Sequence, residues 1–204
     1  MILVTGILAM AGMTSCKRSD AAAQESQVKR AFDSCKEALI ERQTDQVMVY
    51  IPQNVDDYLG QLKANPKNST AHLTANTWTD ESPGVDLLLR TALEKKVPDD
   101  LRSKLTLKIL MQRIADKRLL NPHDVEQITL GRISVNGGRA SAELYYQGTL
   151  TALRLPFVRE DKDWKIDIMS ILPYAEVLMR LDRAIKGETE NQQVEFLVSK
   201  LPSL

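Results

Sequence analysis

From Glu126 to Ser170 the hydrophobic period shifts toward two across four consecutive segments, EQITLGRISV, RASAELYYQG, LTALRLPFVRE and WKIDIMS. A period of two sends alternate side chains to opposite faces of a strand, so these segments predict a run of half-buried strands. Asn136-Gly137-Gly138 supplies the positive φ of a tight hairpin turn, and Asp161-Lys162-Asp163 makes a second turn. Ala140, Ala142, Leu144 and Tyr146 share one side, as do Leu153, Leu155 and Phe157, and then Trp164, Ile166 and Ile168. The other side carries Ser141, Glu143, Tyr145 and Gln147, then Arg154, then Lys165 and Asp167, with the acids read as solvated partners of Arg154 and Lys165. Four antiparallel strands with a single apolar face require helices to cover that face.

The covering material lies on both sides of the sheet in sequence. A first helix is expected from about Gln24 to Tyr50, its buried stripe formed by Val28, Ala31, Phe32, Cys35, Ala38 and Leu39, with Pro52 stopping it. A second is expected over Gln53 to Ala64, and two more over Val85 to Lys96 and Asp99 to Leu120. Asp99 and Asp100 sit where the helix dipole favours acids, and the wide apolar surface of that last helix suits burial or a dimer contact. Residues 65 to 84 are rich in Asn, Ser, Thr and Pro and read as a long loop, with His72 and Trp78 as candidate contact residues. After Pro173 the helical period returns with Val177, Leu178, Leu181, Ala184 and Ile185, breaks at Gly187, and resumes with Val194, Leu197, Val198 and Leu201. The fold class is therefore α+β: a long N-terminal helix and further helices on one face of an antiparallel sheet of about four strands, with C-terminal helices.

Ahead of this domain the chain begins MILVTGILAMAGMTSC, an uncharged apolar stretch too short for the ~20 residues that cross a bilayer as a helix. It resembles a bacterial lipoprotein signal, which implies cleavage before Cys16 and a lipid on its thiol. Met13, Thr14 and Ser15 depart from the usual approach to that cysteine, and no Lys or Arg precedes the apolar run, as expected if a basic region lies further upstream. Lys17 after the cysteine favours the outer membrane of the envelope. The expected organisation is a signal peptide over 1–15, a lipidated polar tether over 16–24, an α+β domain over 25–172, and a C-terminal helical extension over 173–204 packed on the same domain.

AFDSCKEALIERQTDQVMVYIPQNVDDYL resembles the opening helix and helix break of the nuclear transport factor 2-like superfamily, with cystatin-like topology, and LPFVREDKDWKIDI resembles its late hairpin. The resemblance implies a conical pocket over the sheet, in a fold that hosts ketosteroid isomerase-like enzymes as well as binding modules without chemistry. Proton-transfer chemistry would need an ionisable base on the inner face, where Tyr146 is the one polar candidate.

Charge excludes a nucleic-acid role. The 27 basic and 27 acidic residues balance, signs are mixed along every segment, and aromatics make up 5% of residues. With Cys16 lipidated, Cys35 has no partner and reads as a small core residue; His72 and His123 lie at no metal-ligand spacing, and no Gly-rich phosphate loop or nucleophile elbow occurs. No metal or cofactor is expected. The leading functional expectation is an envelope lipoprotein whose domain binds an apolar small molecule or a protein partner; an isomerase or hydrolase using Tyr146 and the 65–84 loop, and a homodimeric structural module, are the alternatives. The mature protein is expected to start at Cys16 and to carry added acyl mass. Intact-mass measurement of the wild type against Cys16→Ala checks this, the variant losing both the lipid and its retention in membranes.

Overall fold

The computed structural model describes residues 12–64 and 84–203, with side chains from residue 20 onward. Its sheet has four antiparallel strands in the order β1 (Ile128–Asn136), β2 (Arg139–Tyr146), β3 (Thr149–Glu160) and β4 (Asp163–Ile166). Each joint is a two-residue turn carrying left-handed backbone: Gly137 at φ 59°, Gln147 and Gly148 at 51° and 75°, and Asp161 and Lys162 at 49° and 80°. Such turns match the right-handed twist of the strands they join.

In β1 the apolar residues change parity, from Ile128 and Leu130 to Ile133 and Val135. A strict alternation would put the two pairs on opposite faces. The register slips by one residue between Leu130, paired with Leu144, and Ile133, paired with Ala142, so both pairs meet the same core. Gly131 occupies this bulge because a Cβ there would lie 2.4 Å from the Tyr145 ring and 3.0 Å from the Glu143 carboxylate.

One helix covers the inner face. α1 (Gly12–Ile40) lays Val28, Ala31 and Phe32 on Ala140, Ala142, Leu155, Phe157 and Trp164, the two alanines giving room for the helix. Lys36 fixes its height by donating hydrogen bonds of 2.7 Å to the carbonyls of Glu126 and Ile128. Farther along the same stripe, Cys35 and Ala38 leave the sheet and enter a second core of Val47, Val55, Leu59, Leu62, Leu93 and Leu105. That core joins α2 (Thr44–Val49), α3 (Gln53–Ala64), α4 (Gly84–Lys96), the short α5 (Asp99–Arg102) and α6 (Leu107–Asp116).

Helix boundaries differ from the sequence expectation at three places. α1 already runs from Gly12, where the first helix was expected from about Gln24, so the polar tether over 16–24 is helical; Ala21, Ala22 and Ala23 are its strongest helix formers. The helix expected over 24–50 is broken at Ile40. Arg42 takes φ 59°, and the amides of Arg42 and Gln43 return to the carbonyls of Leu39 and Ala38. The helix expected over 99–120 is likewise divided: Thr106 caps α6 through Ile109 N–H at 3.2 Å, and Arg118 at φ 55° ends it with the same paired return bonds, from Arg118 to Ala115 and Leu119 to Ile114. Both terminations are Schellman motifs with arginine where glycine is usual, which costs about 1–2 kcal/mol each and leaves no signal in the sequence.

α7 (Pro122–Glu126), capped by Asn121, leads into β1. Beyond the sheet a 3-10 turn over Ile168–Ile171 precedes α8 (Leu172–Lys186), ended by Gly187 at φ 67°, and α9 (Glu190–Lys200), opened by a Thr189–Gln192 capping box. Both pack on α4. The buried Glu176 accepts from Val85 N–H at 2.9 Å and Arg180 Nε at 2.7 Å, beside the Arg183–Glu190 pair at 2.8 Å. Gly84 lies under this junction, where a Cβ would stand 2.7 Å from the Glu190 carboxylate and 2.8 Å from the Arg183 guanidinium and would push their side-chain ends aside. Phe157, 1% exposed, is the largest fully buried side chain of the described residues. Phe157→Ala is expected to destabilise by about 3–5 kcal/mol in urea unfolding, as for other large-to-small core changes.

Candidate functional site

Between the sheet and α1 the described side chains pack as one apolar cluster. The opening of the fold lies on the far side of the second core. A cleft of about 350 Å³ runs between α3, α4, α6 and the C-terminal segment after α9. Helical spacing builds each wall: Leu59 and Leu62 on α3, Leu89, Ala92, Leu93 and Lys96 on α4, and Leu110 and Ile114 on α6. Leu119, which follows the left-handed Arg118, and Leu201 with Pro202 close the ends. Ala92 is the small residue among larger aliphatic ones and leaves the space open.

Among the described lining residues Lys96 is the one that carries an ionisable group. Its half-buried stem lies along apolar surface in the last turn of α4, where the helix dipole favours a cation. Beside the cleft, Tyr58 donates a hydrogen bond to Asp86 between α3 and α4. Burial, then the hydrogen bond to this carboxylate and its charge, hold the Tyr58 phenol well above its usual range and therefore neutral. The pair ties two helices together without facing the cleft lining.

The residues singled out from sequence fall elsewhere. Tyr146 stands at the end of β2, 40% exposed, opposite Ile128 and Thr149 and outside the cleft lining. His72 and Trp78 lie outside the described residues, as does the Cys16 side chain. His123 is exposed in the first turn of α7, 4.0 Å from Glu126. Glu143 pairs with Arg154 at 3.6 Å, as read from the alternation, whereas Asp167 is not an outer-face acid: it is buried and caps the 3-10 turn through Ser170. Lys165 instead pairs with Glu160 at 3.0 Å. Cys35 is buried in the core as expected.

The isomerase alternative calls on Tyr146 together with the 65–84 loop, and residues 65–83 lie outside the described residues. Among the described residues no group of His, Cys, Asp and Glu is arranged to hold a metal. Sequence reasoning missed the cleft because its walls are aliphatic stripes indistinguishable from core stripes; the polar Lys96 within the α4 stripe was the one irregularity. Compared with known proteins, the chain matches no family model, no curated protein and no solved structure.

Burial pushes the Cys35 thiol from its ordinary 9.0 up to about 11. A folded value above the unfolded one means that the stabilisation is complete below pH 9 and is lost as the pH rises through 11, because only the unfolded chain can ionise the thiol readily. Urea titrations from pH 8 to 11 should show about 2–3 kcal/mol of stability lost from this group, with a shallower fall in Cys35→Ala. A thiol reagent at pH 8 should leave Cys35 unmodified until the protein unfolds.

Proposed function

We propose that this chain is a bacterial cell-envelope lipoprotein with a nuclear transport factor 2-like α+β domain, held at the membrane through a lipidated Cys16, which binds an apolar small molecule without transforming it. The observation that carries the binding reading is the cleft between α3, α4 and α6, of about 350 Å³ and almost wholly aliphatic in its lining. Its size lies within the range of small-molecule pockets, ~300–1,000 Å³, which are likewise mostly apolar with few polar groups to orient the ligand. Lys96 is placed to orient a polar end.

The anchor reading rests on the apolar stretch ahead of Cys16 and on the course of α1. No helix of the described residues is long and apolar enough to cross a membrane. From Cys16 to Val28, the first fully buried residue, α1 continues unbroken and is largely exposed over 20–27. At 1.5 Å per residue these twelve steps make a stalk of ~18 Å, which would hold the domain close to the bilayer surface.

An environment-sensitive apolar fluorophore is expected to bind the protein in one-to-one ratio and to be displaced by apolar competitors. Ala92→Trp, which fills the cleft, should reduce that binding at least ~10-fold while leaving the thermal midpoint within a few degrees of the wild type. Equal binding by both proteins would contradict the assignment of the site.

A further inference from the structure

α8 carries an apolar face that the described residues leave exposed. Tyr174, Val177, Leu178, Leu181 and Ile185 are exposed by 64%, 55%, 65%, 56% and 85%. The opposite face of the helix holds the buried Glu176 and the Arg183 that pairs with Glu190, so the helix is docked by its polar side and presents its apolar side outward. This reverses the usual placement of an amphipathic helix and needs an occupant.

The spacing of the face identifies one. Tyr174, Leu178, Leu181 and Ile185 are separated by four, three and four residues, the seam of a two-stranded coiled coil. Three pairs of positions are apolar on both sides of the Met179–Arg180 bond, while Val177 falls opposite Asp182. Leu178 mirrors Leu181, Ala175 mirrors Ala184, and Tyr174 mirrors Ile185. A two-fold axis through that point sets each residue against its mirror on an antiparallel copy, with the alanines permitting close approach at the edges. Self-complementarity of this kind is what an isologous dimer interface requires.

The area is sufficient. A fully exposed aliphatic side chain presents on the order of 100 Å² and an aromatic one more, so five side chains at these exposures leave roughly 400 Å² of apolar surface per copy. Two copies bury roughly 800 Å², and with a polar rim making up the remaining third or so the total comes to roughly 1,200 Å², at the lower bound for specific interfaces.

We propose that the protein pairs with a second copy of itself through α8, antiparallel about a two-fold axis between Met179 and Arg180. Sedimentation equilibrium of the full chain is expected to give twice the chain mass. Leu178→Glu with Leu181→Glu should shift the protein to one chain mass, a loss of at least ~100-fold in association, because four carboxylates then meet across the axis. Orientation is read independently, with the unsubstituted chain as the control for Cys16. Chains bearing Tyr174→Cys and Ile185→Cys are expected to form a disulfide with each other when mixed, and neither with itself. A wild type at one chain mass overturns the proposal, whatever else lies on α8. So does a dimer that survives the two glutamates, or cross-linking of either cysteine variant with itself alone.

Discussion

The packing of α1 on the inner face of the sheet is the contact from which the rest of the structure follows. Val28, Ala31 and Phe32 remove Ala142, Leu155 and Phe157 from water, and a four-stranded sheet with one apolar face has no stability without such a cover. The same helical stripe then runs past the sheet, and its continuation, Cys35 and Ala38, becomes one side of the second core. One helix thus faces two partners along its length. The sheet sets its position through Lys36, and the helices α2 to α6 assemble on the half that the sheet leaves free.

This arrangement explains where the openings lie. The described residues between α1 and the sheet pack as one cluster, and the cleft lies farther out, where α3, α4 and α6 meet around the small Ala92. α8 attaches to α4 through the buried Glu176, which accepts from the Val85 amide, and the partly buried Arg183–Glu190 pair ties α8 to α9. Anchoring by the polar side leaves the apolar side of α8 turned to solvent. A buried carboxylate of this kind is costly unless fully hydrogen-bonded, and Glu176 accepts bonds on both oxygens.

What was legible in the sequence follows from what leaves a periodic signal. The hairpins were readable because alternation and Gly137 declare themselves, and the α3 start at Gln53 because Pro52 precedes it. The breaks at Arg42 and Arg118 were not, since an arginine in left-handed backbone looks like any helical arginine until its neighbours are in place. The β1 bulge was hidden in a parity change that only the partner strand resolves. Asp167 appeared solvated because alternation was continued one residue past the strand, into the turn it caps. Periodicity found the apolar face of α8 correctly, yet period alone does not say whether a face meets the chain's own core. The cleft posed the same difficulty: Leu59, Leu62, Leu93 and Leu110 contribute to packing and lining at once.

Native mass spectrometry of the protein taken from a bacterial envelope tests the proposal that the cleft lined by α3, α4 and α6 holds an apolar molecule. The wild type is expected to include a population carrying one co-purified apolar molecule per chain that is absent from Ala92→Trp. Ligand-free chains in both proteins, or the same adduct retained by the variant, would contradict it.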